Sequence, residues 1–199
     1  MTSFDIHQPY LLENERVRLA PLTTEHYYFL KHFAIEQPNL WQYSLVAVNG
    51  ANGMQQYIET ALHDNLQGTA YPFAVYDKQL QQYAGCTRFY DIQLKYGTTQ
   101  LGYTWYGQQF QGTGLNKHCK YLLLNFAFEQ MSMQRVEFRA DDRNQKSIAA
   151  MKSIGCTVEG ILRSHLPNLQ GGRRNSIVLS ILKNEWEQQL KTALFQKLV

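Results

Sequence analysis

The 199-residue chain is long enough to bury a large core, and its 44% hydrophobic, 13% aromatic and 18% charged residues exclude a disordered tail protein. The net charge of +3 is spread along the chain, which argues against nucleic-acid binding. No apolar run approaches the ~18 residues of a membrane span, and Met1–Asp5 lacks the basic start of a signal peptide. We therefore expect one cytoplasmic domain over residues 1–199, with neither a membrane nor a nucleic acid as partner.

The three cysteines are Cys86, Cys119 and Cys156. Their number is odd and their spacing matches no Cys or Cys/His pattern of metal ligands. The sequence therefore predicts reduced, buried thiols and no structural metal.

Hydrophobic periodicity predicts the secondary structure of the first half of the chain. Alternation predicts a strand at 15–19, and helical spacing predicts helices at 23–30 and 53–66 on either side of a flexible loop at 49–53. Three aromatic-rich strands then follow at 71–76, 83–90 and 100–106.

In the second half, a broad apolar stripe predicts a helix at 115–130, followed by a strand at 135–139 and a helix at 144–154. A strand pair at 158–166 and 176–182 and a terminal helix at 184–197 complete the chain. This order predicts an α+β fold in three layers, with a mixed, mostly antiparallel sheet of six or seven strands flanked by helices.

The junction between strand 100–106 and helix 115–130 carries the strongest signal for a ligand. Its short loop contains Gly107, Gly112 and Gly114 and leads directly into the helix, so the amides of residues 112–115 lack helical partners. Such amides at the positive end of a helix dipole bind phosphate, and glycine allows the phosphate to approach the backbone. A tight strand-to-helix turn without a ligand is the alternative interpretation.

Two well-known nucleotide loops do not fit this segment. A Walker A loop would need Lys-Ser/Thr after the second glycine, where this chain has Thr113 and Gly114. A dinucleotide-binding loop would need a third glycine at Lys117. An NTPase and a Rossmann enzyme are therefore both disfavoured.

The Gln109-x-x-Gly112-x-Gly114 pattern resembles the acetyl-CoA loop of the GNAT N-acetyltransferases. Further segments are similar to the branch of this family that contains the ribosomal-protein N-terminal acetyltransferases, so the resemblance spans nearly the whole chain. They are residues 13–22, the Asn144-x-x-Ser147 motif, residues 154–165 and residues 181–186. Cys156 departs from the branch, which usually has Phe there.

This resemblance implies the GNAT fold, in which the sheet opens as a V between its fourth and fifth strands, here 100–106 and 135–139. It also implies acetyl-CoA as co-substrate, without a metal. The backbone of Thr104, Trp105 and Tyr106 would pair with the pantetheine arm, and Asn144 would anchor that arm. The pyrophosphate would be bound by Gln109, Gln111, Gly112, Thr113, Gly114, Leu115 and Asn116.

Acetyl transfer by direct attack of an amine needs a base for the amine and a proton for the departing thiolate. The resemblance makes Ser147 the candidate proton donor, and its alternative role is in a helix cap with Asn144. Glu137 and His165 are candidate bases, although Glu137 could simply pair with Arg139 and His165 could be a structural, hydrogen-bonded residue.

We expect Trp41 and Tyr43, in a loop, to contact the acceptor, and Lys117 and His118 to face solvent. The predicted function is transfer of acetyl from acetyl-CoA to a primary amine, either a protein N-terminus or a small molecule, by a monomer or homodimer. The alternative is a non-catalytic module that binds or senses acyl-CoA.

Overall fold

The computed structural model describes residues 4–198, so Met1–Ser3 of the segment examined for a signal peptide lie outside it. An eight-stranded sheet runs through the described chain, in the order β1-β2-β3-β4-β5-β6-β8-β7. The strands are β1 (Leu12–Glu13), β2 (Val17–Pro21), β3 (Ala70–Asp77), β4 (Gln82–Gln93), β5 (Thr98–Tyr106), β6 (Arg135–Asp141), β7 (Thr157–Pro167) and β8 (Arg173–Leu182).

All neighbouring strands are antiparallel except β5 and β6, which are parallel. The mixed, mostly antiparallel sheet is thus confirmed, with one strand more than predicted. The extra strand is β1, and its two residues are too few to produce a recognisable alternation.

The helices are α1 (His26–Glu36), α2 (Gly50–Leu66), α3 (Leu115–Asn125) and α4 (Gln145–Ser153). α3 continues as a π turn over Phe126–Gln130, and the chain ends with α5 (Lys183–Glu185), a π turn (Trp186–Leu190) and α6 (Lys191–Phe195). The prediction of a flexible loop at 49–53 is wrong, because α2 begins at Gly50 and includes Gly53.

Helices cover both faces of the sheet and form the predicted three layers. The ring of Trp105 on β5 contacts Phe33 of α1 and Tyr57 of α2. On the opposite face, the Tyr106 hydroxyl donates to Asn116 of α3 at 3.2 Å. Because side chains alternate along a strand, β5 forms part of the core on both faces.

The sheet opens between β5 and β6. These strands pair only over Thr98 to Gln100 with Arg135 to Glu137, and they separate beyond that point. β5 is also irregular here, since Thr87 of β4 faces both Tyr103 and Thr104, and Tyr103 has a left-handed φ of 49°. The splay predicted between the fourth and fifth strands is therefore present, between β5 and β6.

The three cysteines are free and buried, as predicted. No helix among residues 4–198 is long and apolar enough to cross a membrane.

Candidate active site

The loop between β5 and α3, residues 107–114, is called here the glycine loop. It contains a 3₁₀ turn (Gln108–Phe110) and two left-handed glycines, Gly112 with φ 75° and Gly114 with φ 87°. Within the described chain, the amides of Gly112, Thr113 and Gly114 have no protein acceptor. No atom lies within 4 Å of the position that a Cβ on either glycine would take, so the space over these amides is open.

The side chains of this loop mostly hold the loop itself in place. Gln111 donates to the carbonyl of Tyr106 at 2.9 Å, and the hydroxyl of Thr113 donates to the carbonyl of Phe110 at 2.8 Å. Gln37, at the end of α1, accepts from the amide of Gln108 at 2.9 Å and lies 3.5 Å from Gln109. The groups left for an anion are therefore backbone amides at the N-terminus of α3.

The segment that the sequence assigned to the pantetheine arm lies on the opened edge of β5. Thr104, Trp105 and Tyr106 all follow Gln100, the last β5 residue paired with β6. The side chain of Trp105 is buried in the core, so this residue can offer a ligand only its backbone. An unpaired strand edge binds an extended amide chain as an additional strand would be bound.

Asn144 and Ser147 lie together at the N-terminus of α4. The side-chain oxygen of Asn144 accepts from the amide of Ser147 at 3.1 Å, which is the helix cap that the sequence left as the alternative. Within residues 4–198, neither the side-chain nitrogen of Asn144 nor the hydroxyl of Ser147 has a hydrogen-bond partner. The cap therefore leaves both groups available to a ligand.

Glu137 lies at the point where β5 and β6 separate. Its two oxygens accept from Nε of Arg139 at 2.6 Å and from the guanidinium of Arg135 at 3.3 Å, so the pairing with Arg139 that the sequence left as the alternative is present. Glu137 also lines an open groove of about 160 Å³. The other lining residues are Asp91, Thr98, Thr99, Gln100, Arg135 and Arg139.

His165 on β7 is half-buried, and its Nδ1 lies 3.0 Å from the hydroxyl of Ser176. Its pKa is lowered by desolvation and by the charges of Arg139, Arg174 and Arg173. The imidazole is therefore held neutral near pH 7, as a base requires.

The two residues predicted to contact an acceptor differ in position. Trp41 is 4% exposed, and its ring packs against Trp105 with 5.0 Å between centroids. Trp41 does lie between helices, in the turn Pro38–Trp41, but this turn folds its side chain into the core. Tyr43 remains near the surface, where its carbonyl accepts from Arg174 at 3.2 Å and Arg143 lies over its ring.

The first turns of α3 also depart from expectation. His118 is 7% exposed rather than solvated, because Asn14, in the turn between β1 and β2, covers it at 3.1 Å. Sequence reasoning also missed Lys120, which is 5% exposed. The signal was its spacing, since Lys120 lies on the same helical face as the apolar residues Leu123, Leu124 and Ala127.

The mixed sheet that opens between β5 and β6, with helices on both faces, is the arrangement of the GNAT fold. The sequence profile described as "Acetyltransferase (GNAT) domain" matches residues 16–157, so the chain belongs to the GNAT acetyltransferase family. Among residues 4–198, no group of His, Cys, Asp or Glu side chains is arranged to hold a metal ion.

Three proteins illustrate the similarity. YdaF of Bacillus subtilis, assigned as a ribosomal N-acetyltransferase, is 34% identical over 88 residues, which are 44% of this chain and 47% of YdaF. An acetyltransferase structure from T. thermophilus is 28% identical, covers 100% of both chains and gives a TM-score of 0.87. The Microcin C7 self immunity acetyltransferase MccE, solved with acetyl-CoA and AMP, is 23% identical over 85% of this chain and 93% of MccE, with a TM-score of 0.76.

Proposed function

We propose that this protein transfers the acetyl group of acetyl-CoA to a primary amine by direct attack. The observation that carries this proposal is the pairing of two features, the unpartnered amides of the glycine loop and the opened edge of β5 that begins at the same loop. A pyrophosphate and an extended pantetheine chain need these two features in this order. Acetyl-CoA supplies an activated thioester, and the rest of the chemistry falls to the protein.

The binding residues divide into two groups. Gly112, Thr113, Gly114, Leu115 and Asn116 offer backbone amides at the N-terminus of α3, where the helix dipole favours a diphosphate. Gln109 and Gln111 shape the loop beside them. On the opened edge, the backbone of 104–106 holds the pantetheine arm, and the free side-chain nitrogen of Asn144 donates to one of its carbonyls.

For the base, His165 fits better than Glu137. The imidazole is neutral near pH 7 because burial and three arginines lower its pKa, whereas both oxygens of Glu137 are already engaged by Arg135 and Arg139. Glu137 then acts by fixing those two guanidinium groups beside the groove. Ser147 donates a hydrogen bond to the departing sulfur with a hydroxyl that the helix cap leaves free.

We propose a protein N-terminus rather than a small amine as the acceptor, which the branch resemblance and the similarity to YdaF, named as a ribosomal N-acetyltransferase, support. Tyr43 and the groove at Glu137 are where such a chain would enter. The test follows coenzyme A release with peptides that carry a free α-amine, the same peptides with a blocked N-terminus, amino acids and polyamines. Release with free-amine peptides alone supports the N-terminal acceptor, and release with small amines alone contradicts it.

One observation favours the second candidate, a non-catalytic acyl-CoA-binding module. The carboxylate nearest the splay, Glu137, has no free oxygen. Tight binding of acetyl-CoA without coenzyme A release from any amine would support this alternative and contradict acetyl transfer.

A further inference from the structure

Lys120 is a buried cation without a carboxylate partner. Its side chain is 5% exposed, and within the described residues no Asp or Glu oxygen lies within 4.0 Å of Nζ. Nζ donates one hydrogen bond, at 2.9 Å, to the hydroxyl of Thr104. Buried charges are normally paired, so an unpaired one is costly unless a ligand supplies its partner.

The position of Nζ is set by both strands of the splay. Thr104 lies on β5, four residues beyond Gln100, where pairing with β6 ends. Phe138 lies on β6 directly after Glu137, and its ring centroid is 6.0 Å from Nζ. Nζ therefore lies inside the opening between the two strands, on the face covered by α3.

The groups next to Lys120 are neutral, so its ammonium carries the charge at this point of the splay. Burial lowers the pKa of Lys120 to about 8. Burial raises the pKa of Cys119 to about 11 and that of Cys156 to about 12, so both neighbouring thiols stay neutral. The hydroxyl of Thr104, which accepts from Nζ, lies 2.7 Å from the hydroxyl of Thr87.

We propose that Lys120 is a catalytic residue whose ammonium contacts the sulfur of coenzyme A and gives it a proton as the carbon–sulfur bond breaks. The proposal rests on the proposed acetyl transfer. The attacking nitrogen forms the new bond to the acetyl carbon and releases its proton to the base. The sulfur leaves with the electron pair of the broken bond and takes the proton of Nζ, and solvent then returns a proton to Lys120.

Acid strength favours Lys120 over Ser147 as the source of this proton. A serine hydroxyl is a much weaker acid than a thiol, so it can hydrogen-bond a thiolate but does not protonate it. An ammonium with a pKa of about 8 is close to a thiol, whose ordinary pKa is about 8.5, and a matched pair transfers a proton efficiently.

The test measures binding before activity. Coenzyme A and desulfo-coenzyme A, which lacks the sulfur, are titrated by calorimetry at pH 8 into wild type, Lys120→Met, Lys120→Gln and the exposed control Lys152→Met. Wild type and Lys152→Met should bind coenzyme A about tenfold more tightly than the desulfo form, as expected for a charge-assisted hydrogen bond. Both Lys120 variants should lose this preference and bind the two ligands within about twofold.

The ultraviolet absorbance of the thiolate gives a second readout. In wild type, the thiol pKa of bound coenzyme A should fall by about 1 unit or more, and neither Lys120 variant should lower it. Turnover of both variants should fall by about 10²-fold or more. Lys120→Gln can still hydrogen-bond Thr104, so it guards against misfolding of Lys120→Met.

The outcomes separate the two proposals. An unchanged preference for coenzyme A over its desulfo form in folded Lys120 variants would overturn the role of Lys120 and leave acetyl transfer intact. Failure of wild type to bind either ligand would overturn the proposed function, and the role of Lys120 with it.

Discussion

A Cβ on Gly107 would lie 2.1 Å from Cε1 of Phe33, so the glycine loop begins directly on the core. Phe33 is fully buried and also contacts Trp105 and Phe110. The backbone of Gly107 has φ −51° and ψ 151°, which any residue can adopt, so the requirement for glycine here is steric. The packing of Phe33, from α1, against Gly107 therefore fixes the position of the glycine loop relative to the core.

This contact predicts that Gly107→Ala destabilises the protein by about 1–3 kcal/mol through overpacking. Urea unfolding measures the change in free energy of unfolding. Phe33→Leu in the same background should recover part of the loss, because the shorter side chain withdraws from the added methyl group. Wild-type stability of Gly107→Ala would contradict the close contact.

At Gly114 the requirement is for open space instead. Gly114→Glu places a carboxylate over the unpartnered amides, and we expect it to abolish acetyl-CoA binding measured by calorimetry. The matched control is Gly171→Glu, in the β7–β8 turn, because Gly171 has nearly the same φ, 85° against 87°, and the same open surroundings. Both variants place a side chain at nearly the same left-handed φ, so the difference expected between them is the loss of affinity. Unchanged affinity of a folded Gly114→Glu would end the phosphate-loop assignment.

The glycine loop could be predicted from the sequence because it is determined by patterns that are read along the chain. Strand alternation, the Gln-x-x-Gly-x-Gly spacing and the start of α3 are read along the chain, and the loop formed where they predicted it. The environment of a side chain is not local. Trp41 is buried because β5 presents Trp105 to it across the fold, and the isolation of Lys120 depends on both strands of the splay.

Ser147→Ala should lower turnover by about 10²-fold and leave acetyl-CoA affinity little changed. The helix cap uses the amide of Ser147 rather than its hydroxyl, so stability should change by less than about 0.5 kcal/mol. Steady-state kinetics with calorimetry checks both values. A parallel loss of acetyl-CoA affinity would instead assign Ser147 to binding.

If Ser147 and Lys120 act on the same sulfur, their effects should not add. The double variant Ser147→Ala with Lys120→Met should then cost little more turnover than the worse single variant. Fully multiplicative losses would place the two residues in separate steps.

Burial of Lys120 also predicts a pH dependence of stability. Its folded pKa of about 8 lies below the unfolded value, so the free-energy cost of the buried charge is fully present only well below pH 8. Lys120→Met should therefore be more stable than wild type at pH 7, by an amount of the order of 3 kcal/mol. As the pH rises through 8, the folded state loses the proton first and wild type regains stability.

Urea unfolding at pH 7 and pH 9 tests this sign, and the difference between the two proteins should shrink by about 1 kcal/mol over that interval. The comparison cancels the titration of the buried cysteines and tyrosines, which both proteins share. A difference that stays constant or grows with pH would contradict a lowered pKa at Lys120.

The ligand class can be tested without knowing the acceptor. A ligand that binds only the native state at a hundredfold excess over Kd stabilises it by about 2.7 kcal/mol, which raises the Tm of a domain of this size by about 5–10 °C. Acetyl-CoA and coenzyme A should both produce this shift in a thermal melt, because the pyrophosphate and pantetheine proposed to contact the glycine loop and the opened edge of β5 are common to the two ligands. ATP and NADH should shift the Tm much less, since neither has an arm that can pair with β5. A shift with ATP and magnesium, and none with acetyl-CoA, would assign the loop to nucleotide binding instead.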